Sequence, residues 1–202
     1  MEQAIANVVR VDIITEDTPP MLMRTSTSDE AGQEPIISEG TETPLRSKNR
    51  ILAQNNTEDL VLGYIITLKE LIVDADTFAL VDGGTLTWDA EKKFFVYDGP
   101  ETGAVISRKK ATIDIWTEEK DADGDTVGHL RFRYRNGKGS PVKFTHKDNA
   151  FFAPEYVLKA RPKLGQKPVN IANFVGLPPE DLTAQELLEW TREKEAALPP
   201  AD

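Results

Sequence analysis

The chain has 202 residues, a net charge of −10, 39% hydrophobic residues, two histidines and no cysteine. That length suits one sizeable domain with appendages, and no apolar run reaches the roughly 18 residues of a membrane span, so no membrane insertion is expected. The missing cysteines exclude disulfides and thiolate metal sites, and the N-terminus lacks the basic start and apolar block of a secretory leader.

The charge is unevenly placed. Residues 1–47 carry nine acidic and three basic side chains, residues 170–202 carry seven and two, and the stretch between them is net +1. Polyanion binding by the whole chain is disfavoured, because phosphate recognition needs a basic footprint.

In chain order, Val8–Thr15 is rich in β-branched residues and predicts a strand. An insert follows, Glu16–Ser47, 32 residues long and rich in Thr, Ser, Glu, Gly and Pro. Fixing its backbone costs roughly 1–2 kcal/mol per residue, whereas burying its large apolar side chains returns about 1.5–3 kcal/mol each. On this reckoning the insert either stays mobile or gains order by lying on something else, with another protein subunit the expected support. Its apolar islands, Met21-Leu22-Met23 and Ile36-Ile37, are expected to oppose each other in a hairpin arm turning near Ala31-Gly32. Deleting Thr18–Thr43 is then expected to leave the β body folded.

Asn49–Ala53 and Leu60–Ile72 predict strands, and Asp74–Thr77 caps a short helix, Thr77–Val81, stopped by Gly83-Gly84. Three hairpins follow from the alternation. Thr85–Trp88 pairs Phe94–Tyr97, Ala111–Thr117 pairs Val127–Tyr134, and Ser140–Thr145 pairs Phe151–Ala160. The tail brings Leu182, Leu187, Leu188 and Trp190 onto an amphipathic helix ending before Pro199. The fold class expected is mainly β: two packed antiparallel sheets, sandwich or barrel-like, with a short flanking helix, a long arm loop and a C-terminal helix. The organisation expected is a β domain over 1–177, including the arm 16–47, and an acidic helical extension over 178–202.

Chemistry-bearing motifs are weak. His129 and His146 have no partner at metal-ligand spacing, and Ser140, His146 and Asp148 lack a nucleophile elbow. Asp121–Asp125 fails the calcium-loop pattern, since its sixth and twelfth positions are Thr126 and Phe132, and predicts a turn. Gly137-Lys138-Gly139 does not open a helix as a phosphate loop must. No catalytic, cofactor or metal residue is assigned, and an enzyme is not expected. In Arg131-Phe132-Arg133-Tyr134-Arg135, alternation sends Phe132 and Tyr134 to the core. It sends Arg131, Arg133 and Arg135 to solvent or to a neighbouring subunit's acids.

The stretches LVLGYIITLKELIVDADTFALVDGG (60–84) and SPVKFTHKDNAFFAPEYVLKARP (140–162), in this order of elements, resemble the major tail tube proteins of long-tailed bacteriophages. The resemblance implies two packed β-sheets with a short helix, in a subunit that forms hexameric rings stacked into a tube. It implies tape-measure and tail initiator or terminator proteins as partners, double-stranded DNA passing through unbound, and a place in the virion tail after assembly in the host cytoplasm. Met21, Leu22, Met23, Ile36, Ile37, Arg131, Arg133 and Arg135 are the candidate subunit-contact residues. Two alternatives stay open. One is a monomeric phage β-sandwich, for head decoration or carbohydrate binding through Trp88, Phe94, Phe95 and Tyr97. The other is single-stranded nucleic-acid binding through Arg131–Arg135.

Overall fold

The computed structural model describes residues 4–47, 50–89, 91, 94–143, 148–149 and 152–197, with backbone alone for 42–44, 46–47 and 50–56. The centre of the fold is the hairpin of β9 (Lys110–Lys120) and β10 (Thr126–Gly139). Both strands interleave Ile, Leu, Phe or Tyr with polar residues, so one face is apolar along its length. On the far side of β9 lies β1 (Ala4–Thr15), followed by β2 (Leu22–Thr25). The free edge of β10 takes β12 (Asn170–Phe174) along its first half and β11 (Glu155–Ala160) at its end. β6 (Leu60–Glu70) pairs β11, and β3 (Ser28–Ser38) closes the order.

All these pairings are antiparallel, in the order β2-β1-β9-β10-β11-β6-β3. The sheet folds over so that its two halves share one core. Val11, Ile13, Ile113 and Ile115 from one half meet Ile66, Leu68, Tyr156 and Leu158 from the other. The Tyr64 and Tyr134 rings lie 5.3 Å apart, and the Tyr134 hydroxyl donates to Gln33 of β3. The expected mainly β, two-layer class holds, with β10 serving both layers.

The short helix α1 (Ala75–Asp82) covers the predicted Thr77–Val81. Asp74 caps it by accepting the Thr77 N–H at 2.8 Å, and Gly83 ends it at φ +88°, a conformation glycine adopts without a Cβ penalty. Phe78 and Val81 enter the core, and Phe78 meets Tyr97 edge to face at 4.7 Å. Tyr97 belongs to the predicted hairpin between α1 and β9, in which β7 (Thr85–Asp89) pairs with β8 (Phe94–Asp98). Burial and a hydrogen bond to Asp82 push the Tyr97 phenol up to about 12.

The insert departs from expectation. Its first half is woven into the sheet: Met23 pairs Ile13, and β3 runs against β6 from Ser28 to Ser38. Ala31 and Gly32 stand in mid-strand opposite Leu68 and Thr67, so no hairpin turns there and the two apolar islands do not face each other. Order comes from main-chain pairing within the same chain, which side-chain burial alone does not count. Thr25, Thr27 and Ser28 also donate to the buried Glu70 carboxylate, fastening the corner between the two layers.

Only the second half of the insert leaves the body. β4 (Glu42–Ser47) and β5 (Arg50–Asn56), the latter replacing the predicted Asn49–Ala53, pair with each other and, among the described residues, join no other sheet. They extend the β3–β6 pair as a two-stranded ribbon, by about 20 Å at roughly 3.3 Å per residue. A bulge marks the root: Ile36 faces Gly63 and Ile37 faces Val61, leaving Leu62 over. Gly63 has φ +158°, and a Cβ there would lie 2.1 Å from the Ala160 carbonyl oxygen.

Two further differences concern the second half of the chain. Of the hairpin expected from Ser140–Thr145 and Phe151–Ala160, the described residues show a single bridge, Lys143 to Glu155. Its tip, including His146, lies outside the described residues, and β11 pairs β6 and β10 instead. β12 was not predicted, its five residues being too short and polar to stand out. The C-terminal helix α2 (Ala184–Ala196) opens with a capping box between Thr183 and Glu186 and lies against the outer face of the sheet.

Candidate subunit-contact surfaces

Strand alternation puts Arg10 and Asp12 of β1, Asp114 and Trp116 of β9, and Arg131 and Arg133 of β10 on the outer face. Register then lines up Arg24, Asp12, Asp114 and Arg133 as one row across four strands. Its charges run plus, minus, minus, plus. Arg24 Nε donates to Asp12 Oδ1 at 2.7 Å, and Arg133 grips Asp114 through two bonds of 2.7 and 2.6 Å. Arg10 and the Trp116 indole N–H also donate to Asp12 Oδ2.

The row is sealed by the C-terminal segment. Arg10 donates to the Pro178 carbonyl at 2.8 Å, Arg24 to the Glu180 carbonyl, and Arg133 to Thr191 Oγ1. Arg131, 0% exposed, pairs with Glu195 and Asn170 and lies 5.3 Å over the Phe174 ring. Trp190 of α2 stacks on Phe174 at 5.6 Å. Burial pushes the Asp12 carboxyl up and the Arg10 and Arg131 guanidinium groups down. At Arg133 burial acts the same way, but the Asp114 charge and hydrogen bonds outweigh it and raise the pKa.

This placement corrects the reading of the arginines. Phe132 and Tyr134 do pack on the core side, yet Arg131 and Arg133 face neither solvent nor another subunit. They are held by acids of their own chain beneath α2, which also removes them from any nucleic-acid surface. Arg135 is half-buried. Met23 is a core residue and Leu22 packs against Ile14, Ala184 and Leu187, so neither offers a contact surface, whereas Met21 is half exposed. Ile36 is half-buried and Ile37 exposed.

Sequence reading missed the apolar root of the ribbon. Leu60 (64% exposed), Val61 and Leu62 stand beside Ile37 where β3 and β6 leave the sheet, and Leu45 is exposed further out on β4. An unbroken Leu-Val-Leu at the start of a strand was the available signal, because a half-buried strand alternates. Trp88 and Phe95, cross-strand partners in the hairpin after α1, form a second exposed apolar place. Phe95, Val73, Leu86 and Phe152 line a small apolar cavity of about 190 Å³ beside Phe78. Asp121 serves as a turn residue, its Oδ1 accepting the N–H groups of Asp123 and Asp125 at 3.0 and 2.9 Å. Among the described residues no helix is long and apolar enough to cross a membrane.

No protein-family model and no curated protein matches the chain. Among solved structures it is similar to a chain of the anti-feeding prophage baseplate, determined by cryo-electron microscopy with six-fold symmetrisation. The superposition covers 88% of this chain and 99% of that one, at a TM-score of 0.44 and 10% identity. At that distance the likeness assigns no function.

Proposed function

We propose that the chain is a structural subunit of a tail-like particle, self-assembling into hexameric rings that stack into a tail tube for DNA delivery. The observation that carries this reading is the self-paired ribbon of β4 and β5, with Ile37, Leu60, Val61 and Leu62 exposed at its root. A two-stranded ribbon is marginal in water by itself, and a cluster of exposed aliphatic side chains gains by covering. A neighbouring copy supplies both a surface for the ribbon and a cover for its root. The sequence resemblance of 60–84 and 140–162 to tail tube proteins supports the same reading. It assigns no catalytic step, cofactor or metal, and its partners beyond further copies are tape-measure and tail initiator or terminator proteins. Purified protein, alone and with those partners, is expected to give rings or tubes in negative-stain micrographs. Monomers under every condition would sink the proposal.

One observation favours a second reading, a monomeric binding module. Trp88 and Phe95 are 60% and 50% exposed on one face of a hairpin, an arrangement suited to a sugar ring or a capsid surface. Glycan or capsid binding by a protein that sediments as a monomer, lost on Trp88→Ala, would establish it.

A further inference from the structure

Among the described residues, the outer face of the sheet is covered at one end only. Near Arg10, Asp12, Asp114 and Arg133 it lies under α2 and Pro178–Glu180. At the opposite end of the same strands, Lys110 of β9, Lys138 of β10 and Lys159 of β11 stand in register across three adjacent strands. Their chain neighbours Ala111, Gly137 and Ala160 meet on the core side, so alternation puts all three lysines on the outer face. With Arg161 and Asn136 they line an open cavity of about 450 Å³.

This row is the reverse of the first one. Arg24-Asp12-Asp114-Arg133 balances its charges across the sheet, whereas Lys110-Lys138-Lys159 sets like charges directly opposite, which is destabilising unless a counter-charge arrives. No carboxylate lines the cavity among the described residues. Glu16, close by, accepts the Asn136 backbone N–H at 2.9 Å, and Asp17 pairs with Lys109. Asn136 is an independent sign of a missing partner. It is 8% exposed, sits at φ +55° in the β10 bulge, and its side-chain Oδ1 has no hydrogen-bond partner. The cavity therefore asks for carboxylates and an N–H donor together. An acidic peptide segment offers both; a phosphodiester offers acceptors alone.

The other end of the β9–β10 hairpin holds such a segment. Its exposed turn carries Asp121, Asp123 and Asp125, and of their side chains that of Asp121 accepts the hydrogen bonds that close the turn. The turn lies about 33 Å from the lysine row, at roughly 3.3 Å per residue along β9. One hairpin is thus basic at its open end and acidic at its tip.

We propose that the cradle of Lys110, Lys138, Lys159 and Arg161 receives the Asp121–Asp125 turn of a second copy of this chain, head to tail. Such a heterologous contact closes into rings or propagates as stacks according to its rotation. The proposal rests on the self-assembly reading above and names the surfaces it uses.

Carbodiimide cross-linking of the full-length protein, with mass spectrometry, is expected to join Lys138 or Lys159 of one copy to Asp123 or Asp125 of another. The exposed-site variants K138E/K159E and D123K/D125K are each expected to weaken self-association about tenfold or more in sedimentation, and mixing the two variants to restore it. Unchanged association in both variants, or cross-links from these lysines only to other acids, would overturn the contact. Double-stranded DNA retained by the wild type and lost by K138E/K159E, with association unaffected, would overturn it too. Tubes that form regardless of the variants leave the tube reading standing without this contact. Linked copies that never close into rings leave the contact standing without the tube.

Discussion

Arg131 to Arg135 alternate along β10, and alternation alone sorts their side chains onto two faces without saying what will cover either. That is why Tyr134 was legible as a core residue and Arg133 was not. The same holds for Asp12 and Asp114, charges set among apolar residues in VRVDII and TIDIW, whose burial depends on the cover that the C-terminal segment lays over that face. Because Asp114 is fully buried and holds Arg133 through a bidentate pair, Asp114→Ala leaves a buried cation without that partner. A loss of about 3–5 kcal/mol is expected in urea unfolding. His129 supplies a pH test. Its Nδ1 is buried without a partner, and burial lowers its pKa against the opposing pull of Glu118. A depressed imidazole pKa means that the unfolded chain binds the proton more readily. The stability contributed by His129 is therefore complete above the ordinary value of about 6.5 and is lost as pH falls through the folded value. His129→Gln is expected to flatten the stability–pH curve in that window; an unchanged slope would assign it to other groups.

At the scale of elements, short-range signals were the legible ones. Asp74 and Gly83 bound α1 through local hydrogen bonds, and the β9–β10 hairpin follows from alternation around a charged turn. The pairings of β3 with β6 and of β11 with β6 bring together segments far apart in sequence, and nothing local specifies them. β3 reads SDEAGQEPIIS, with no strand pattern in its first half, so its order depends on the partner strand. The deletion of Thr18–Thr43 accordingly changes meaning: it removes β2 and β3 and is now expected to unfold the body. Replacing residues 40–58 by a short glycine turn removes only the ribbon. That variant is expected to melt as cooperatively as the wild type and to lose tube elongation; loss of the cooperative transition would place the ribbon in the core. α2 is held by its amphipathic face, with Leu187 fully buried against Ile14 and Ala184. Leu187→Ala is expected to cost about 2–5 kcal/mol in the same unfolding assay.

For the whole molecule, a net charge of −10 coexists with one unbalanced basic row and an apolar ribbon root. The long edge strand β3 carries Asp29, Glu30, Glu34 and Pro35, residues that discourage indiscriminate strand pairing along it. Specific contacts through the ribbon and its root, rather than open-edge addition, are what such a surface favours. The two-layer β class was legible from the recurrence of strands; the sites of contact were not, because they depend on which faces the fold leaves bare. The most direct test of self-assembly is electron microscopy of the purified chain with its tail partners, followed by class averaging of end-on views. Six-fold rings with an open centre, stacking into tubes in side view and absent from the 40–58 replacement, are the predicted result. A monodisperse single copy at every concentration, with and without the partners, would contradict it.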